Sequence, residues 1–325
     1  MRAAPRADGI EEERVKAVCL ILLPPGEDWL QRAPSARMMT IARRPWRCLT
    51  MPLTGCPMTT PRFALNHMAA PRRDLAGFVA LACELGIDAV EIRNDLDDTA
   101  IADGTPPGVV RATAEVAGLT ILSINALQRF NDWTPARAAE AVVLADYAAA
   151  CGARGIVLVP VCDGTPKNQE KLERALSALK PILLQRNLTG LVEPLGFAFS
   201  SLRSKADAAA AIAAVGGEGV FRLVHDTFHH YLAGESQLFP ELTGLVHISG
   251  VADDAVSVAD MRDGHRELVA ADDRLDNVGQ IAALVAGGYA GAFSFEPFAP
   301  GVHDLADPAA ALRESMAFIR DRLNG

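Results

Sequence analysis

Four short apolar runs in the second half of the chain each carry, at or near their end, a side chain able to bind a cation or move a proton. GLVEP brings Glu193, FRLVHD closes on Asp226, LVHIS carries His247 and AFSFEP reaches Glu296. Taken singly, each has an ordinary explanation: an acid or imidazole after an apolar run caps the next helix or closes a turn. Taken together they are harder to dismiss. Three carboxylates and an imidazole gathered at one place would repel or desolvate one another unless a cation sat among them. Three oxygens and one nitrogen make a fairly hard ligand set, suited to Mn²⁺, Mg²⁺ or Co²⁺ and acceptable to Zn²⁺. The ligands alone do not choose among these ions; one divalent ion is the expected cofactor, with Mn²⁺ placed ahead of Mg²⁺, Co²⁺ and Zn²⁺, and Asp254 and His230 are the reserve ligands.

The elements that must position these groups follow a regular rhythm. From Met58 onward, short β-prone runs alternate with Ala-rich segments of helical spacing. The strands are placed at FALN (63–66), AVEIR (89–93), TILSIN (120–125), GIVLVP (155–160), GLVEP (190–194), FRLVHD (221–226), LVHIS (245–249) and AFSFEP (292–297). Helical segments follow them, several closed by glycine; the one after the sixth strand, HHYLAGESQLFPEL, is weakly helical. Eight such units over residues 58–325 fit an α/β fold, a (β/α)8 TIM barrel, whose usual length is ~250 residues. No G-x-G-x-x-G follows the first strand, so a doubly wound sheet and a dinucleotide cofactor lack support. In such barrels the catalytic groups stand at the C-terminal strand ends. Period-two alternation puts Glu193, Asp226, His247 and Glu296 on the same strand faces as Leu191, Val224, Leu245 and Ser294, so all four can point at the barrel axis.

Composition narrows the setting. The chain has 325 residues, half of them hydrophobic, and a net charge of -9. Residues 1–57 carry +3 and the remainder -12; they hold three of the six cysteines and no sustained periodicity. They are expected to be a leader outside the barrel, with a single barrel domain over 58–325. An acidic barrel argues against nucleic-acid partners, whose phosphates demand dense Lys and Arg. The longest early apolar run, AVCLILLPP, is too short to span a membrane. Six irregularly spaced cysteines fit a reducing cytoplasm. A homo-oligomer is compatible with all of this.

The motifs FALNHM, VEIR, LSINALQRFND, VLVPV, GLVEP, HDTFHHYLAG, VHISG and NVGQIAALVAGGYAGAFSFEPF together resemble the xylose-isomerase-like (β/α)8 superfamily, over roughly residues 62 to 322. Within it the likeness is strongest to the inosose isomerases of myo-inositol catabolism. The resemblance implies that Glu193, Asp226, His247 and Glu296 hold the metal and that His229 of D-x-F-H reaches the substrate. It also implies proton transfer through an enediolate between carbonyl and hydroxyl carbons, with Glu193 and Glu296 as acid and base.

The expected partner is a small polyol or keto-sugar. Arg93 and Arg266 are candidates to clamp its oxygens, and Asn125, Gln128 and Trp133 to line its site. An inosose dehydratase-type lyase is the main alternative, ahead of a hydroxypyruvate isomerase, a ketose epimerase and an apurinic endonuclease. Two departures stand out. EPLGFAFSS lacks the further acid that ketose 3-epimerases carry after the fifth strand, and RELVAADDRLDN replaces a glycine-rich loop after the seventh.

Overall fold

The computed structural model describes residues 61–96 and 101–325. The leader assigned to residues 1–57, and the first residues of the domain expected to begin at 58, lie outside the described residues. Eight strands follow in chain order: β1 (Phe63–Asn66), β2 (Ala89–Arg93), β3 (Thr120–Gln128), β4 (Gly155–Val159), β5 (Thr189–Val192), β6 (Phe221–Asp226), β7 (Thr243–Ile248) and β8 (Phe293–Phe295). Each pairs in parallel with the next, and β8 pairs with β1, so the sheet closes on itself as a TIM barrel. An outer helix follows each strand, and after β8 a single helical turn at Pro300–His303 precedes it: α1 (Leu75–Glu84), α2 (Pro107–Val116), α3 (Pro135–Cys151), α4 (Gln169–Leu184), α5 (Lys205–Ala214), α6 (Thr227–Ala233), α7 (Asn277–Ala286) and α8 (Pro308–Asn324).

Alternation along the strands builds two cores. Outward residues such as Ile92, Ile156, Leu223, Val246 and Phe295 pack under the helices, each fully buried apolar side chain contributing ~1.5–3 kcal/mol. Inward residues Val157, Leu191, Val224 and Leu245 form a smaller cluster on the barrel axis. Above it, toward the C-terminal ends, the inward row turns polar, with Glu91, Asp226, His247 and Ser294 all buried. Among the described residues, no helix is long and apolar enough to cross a membrane.

The structure departs from the sequence reading mainly at element ends. β3 runs on to Gln128 through a register shift against β4, and β5 stops at Val192 because Pro194 offers no backbone N–H. The helix after β6 begins at once, at Thr227, because Asp226 caps it. It ends after seven residues at Gly234, whose left-handed φ of 65° suits glycine, so the expected segment through Leu242 is not helical.

Candidate metal centre

Four strand ends deliver the site. Glu193 lies one residue past β5, and its backbone N–H donates to the Leu158 carbonyl at 3.1 Å. Asp226 ends β6, His247 is paired opposite it on β7, and Glu296 follows β8 with its N–H on the Ile248 carbonyl at 3.0 Å. Each offers one ligand atom, and these atoms lie within 4.8 Å of one another.

Asp226 serves two ends at once. Its Oδ1 accepts from the His229 backbone N–H at 2.9 Å and so caps α6, while Oδ2 turns inward to Arg266 at 2.5 Å. The helix cap and the inward carboxylate, alternatives at the sequence level, are two oxygens of one side chain. Glu296 is held from three sides: Oε1 accepts from Arg93 at 2.7 Å and Asn66 at 3.1 Å, and Oε2 from Arg266 at 3.0 Å.

His247 is central and fully buried. Its Nδ1 lies 2.9 Å from Glu193 Oε1, 3.1 Å from Glu296 Oε2 and 4.0 Å from Asp226 Oδ2. Its Nε2 lies 3.2 Å from Glu91 Oε2. Burial alone would depress this imidazole, but the charges of Glu296, Glu91 and Glu193 outweigh it and hold the protonated ring well above its ordinary range. Burial raises Glu193, which has no arginine partner, despite the opposing pull of His247. Burial works the same way on Glu296, yet His247, Arg266 and Arg93 prevail and hold it well below the usual carboxylate range.

The donor set fits a divalent ion. A neutral His247, with Nε2 donating to Glu91, would present the bare lone pair of Nδ1 to three carboxylates as a ready ligand for a cation; with no ion bound, a second proton on Nδ1 takes that place. A histidine whose second nitrogen is tied to a carboxylate is also the usual form of a metal-bound imidazole.

A cavity of about 480 Å³ opens over this floor and is lined by Arg93, Asn125, Gln128, His229, Arg266 and Phe197, among others. His229 lies in the first turn of α6, edge-on to Phe197 at 5.1 Å and Phe228 at 5.3 Å between ring centroids, with Nδ1 buried and unpartnered. Arg266 bonds Ser249 at 3.0 Å, and its guanidinium lies 4.5 Å from the Phe298 ring. Arg93 forks onto Asp95 at 2.7 and 2.6 Å. Asn125 donates its amide hydrogens to Glu91 and Ser123, leaving Oδ1 for the cavity. Trp133 packs instead against the core under the helices. The reserve ligands fall elsewhere: His230 meets Lys205 at 2.6 Å, and Asp254 is exposed.

The loop after β7 keeps its shape without the expected glycines. Asp273 accepts from the backbone of Val251, Leu275 and Asn277, and Gly250 bridges Glu267, which delivers Arg266 to the site. Glu91 stands in the middle of β2, where reasoning from strand ends does not reach. Its signal was a charged residue inside the apolar run AVEIR, on the same face as Arg93.

A model of the family described as xylose isomerase-like TIM barrel matches residues 79–322. No curated protein sequence matches the chain. Among solved structures, a xylose isomerase domain containing protein from Salmonella typhimurium LT2 is 32% identical, with a TM-score of 0.77 over 83% of this chain and 100% of that one. The IolI protein solved with a zinc atom is 18% identical, with a TM-score of 0.71 over 81% of this chain and 98% of that one. An L-ribulose 3-epimerase is 19% identical, with a TM-score of 0.61 over 81% and 94%. These last two likenesses concern the fold alone.

Proposed function

This chain belongs to the xylose isomerase-like TIM barrel family, and on that premise we propose that it is a divalent-metal-dependent isomerase of a small keto-sugar or inosose. The observation that carries the reading is Nδ1 of His247 facing three carboxylates, two of which, Glu193 and Glu296, line the cavity above. Glu193, Asp226, His247 and Glu296 would hold the ion. When bound, it would polarise a substrate carbonyl and the neighbouring hydroxyl, and so acidify the hydrogen on the carbinol carbon.

The proton itself is the work of the chain. Glu193 and Glu296 are the two candidates, and their surroundings differ. Both oxygens of Glu296 accept from guanidinium groups, which makes it a weak base. Glu193 lacks such partners, and its burial raises its proton affinity toward the range where a carboxylate both takes and returns a proton. A carbonyl–hydroxyl exchange needs only one such group, since the proton can return to the adjacent carbon on the same face. Inversion at one carbon requires a group on either side, and Pro194 through Ser201 supply no further acid.

His229 supports the shift from above. Its Nδ1 is buried without a partner, so Nε2 is the ring nitrogen left to meet a substrate oxygen. Arg93 and Arg266, each held by carboxylates, line the cavity as fixed positive charges for substrate oxygens. Phe197 and Leu195 form an apolar wall that limits water.

The test is to incubate the Mn²⁺-loaded protein with inososes, ketohexoses and hydroxypyruvate in deuterium oxide and follow the products by NMR. The expected result is deuterium beside the carbonyl together with the rearranged ketone or aldehyde. A metal-loaded protein that exchanges no substrate proton across the panel would overturn the reading, and an unsaturated product would replace it with a lyase.

A further inference from the structure

Glu91 is a fully buried carboxylate at the site that is neither one of the four metal-ligand candidates nor used in proton transfer. It stands in the middle of β2, and a single oxygen takes all of its contacts. Oε2 accepts from the Ser123 hydroxyl at 2.6 Å, from the Asn125 amide at 2.8 Å and from His247 Nε2 at 3.2 Å, while Oε1 is buried without a partner.

The direction of these bonds is determined link by link. The second N–H of Asn125 donates to Ser123 Oγ at 2.8 Å, so the Ser123 hydroxyl is free to aim its own proton at Glu91. With two donors already upon it, Oε2 meets His247 only as an acceptor, and the imidazole must carry its proton on Nε2. A neutral histidine has one protonated and one bare nitrogen. In the neutral ring that would bind an ion, the bare one is Nδ1, on the side of Glu193, Asp226 and Glu296; without an ion that nitrogen carries the second proton of the imidazolium.

We propose that Glu91 is a positioning residue: it fixes the tautomer and ring angle of His247 so that Nδ1 is the metal-ligating atom, and Ser123 and Asn125 hold Glu91 in that task. The inference rests on the metal-dependent reading above. It assigns Asn125 a share in building the metal centre in addition to any contact with substrate. It also accounts for a carboxylate buried inside an otherwise apolar strand run.

Zn²⁺ is a suitable probe because it is diamagnetic. A long-range ¹H–¹⁵N correlation spectrum of the Zn²⁺-loaded wild type should show the His247 proton on Nε2 and the ligated signature on Nδ1. Chelator competition should show Zn²⁺ bound about 10- to 100-fold more weakly by Glu91→Ala. Glu91→Gln, whose amide oxygen can still accept from the ring, should stay within about threefold of wild type. A residue of merely structural importance would lower the unfolding midpoint in both variants and leave the tautomer and the Ala–Gln contrast unmoved. Ligation through Nε2 in the loaded wild type, or wild-type affinity in Glu91→Ala, would overturn the proposal. Should Glu91→Ala not fold, the wild-type spectrum and Glu91→Gln decide it alone. A wild type that takes up no Zn²⁺ would instead bring down the metal reading, and the tautomer assignment with it.

Discussion

Replacing Asp226 separates its two oxygens, because one holds a helix and the other faces the site. Asp226→Ala removes the α6 cap, worth about 1 kcal/mol. It also strips Arg266 of a buried carboxylate at 2.5 Å, and breaking such a pair costs roughly 3–5 kcal/mol. Glu296 still contacts Arg266 at 3.0 Å, and the remaining carboxylates repel one another less, so the lower end applies. A loss of about 4 kcal/mol in a domain of this size lowers the melting midpoint by roughly 8–16 °C. Asp226→Asn keeps an oxygen for the cap and should recover about 1 kcal/mol of that loss, or 2–4 °C. Both values are read by thermal unfolding in excess chelator, so that metal does not enter. In chelator competition both variants should bind Mn²⁺ more weakly than wild type, Asp226→Ala the more so. Equal midpoints for Ala and Asn would show that Oδ1 caps nothing. Undiminished metal affinity in Asp226→Ala would remove the residue from the metal centre.

Further outcomes follow from the same geometry. His229→Ala should keep its metal while losing at least about tenfold in turnover, since its ring lines the cavity outside the ligand cluster; metal loss equal to that of Asp226→Ala, measured by mass spectrometry, would make it a ligand. Glu193→Gln should abolish substrate proton exchange in deuterium oxide, whereas Glu296→Gln should retain a measurable fraction; the reverse order would exchange their roles. Burial lowers His67, stacked on Phe78 at 4.1 Å, from 6.5 to about 4. Between those values the unfolded chain binds the extra proton, so this contribution is fully present above pH 6.5 and is lost as pH falls toward 4, by about 3 kcal/mol. Denaturant unfolding at pH 7.5 and 4 should show a smaller acid loss for His67→Gln by that margin, and parallel curves would contradict it.

The barrel was legible because its strands are apolar runs separated by Ala-rich helices, and the inward direction of Glu193, Asp226, His247 and Glu296 followed from period two alone. The start of α6 was not. Thr227 and Phe228 are poor helix formers, and the first turn stands there because Oδ1 of Asp226 caps it while Oδ2 faces the site, a division of one side chain that the sequence leaves as alternatives. Arg266 could be named as a substrate clamp, but its bonds to Asp226 and Glu296 depend on a loop pinned by Asp273 and by the Gly250–Glu267 bridge, which no local pattern announces. Glu91 shows a different limit. A charge inside a strand reads as an exception to the apolar pattern until His247, 156 positions away in sequence, is seen opposite it.

The central claim is that four side chains at the C-terminal end of the barrel hold one divalent ion. Crystals grown with Mn²⁺ and measured at the manganese absorption edge test it directly. The account predicts one anomalous peak per chain on the barrel axis, about 2.0–2.3 Å from a carboxylate oxygen of Glu193, Asp226 and Glu296 and from Nδ1 of His247. No peak at this position at saturating Mn²⁺, or a peak bound by other residues, would contradict it.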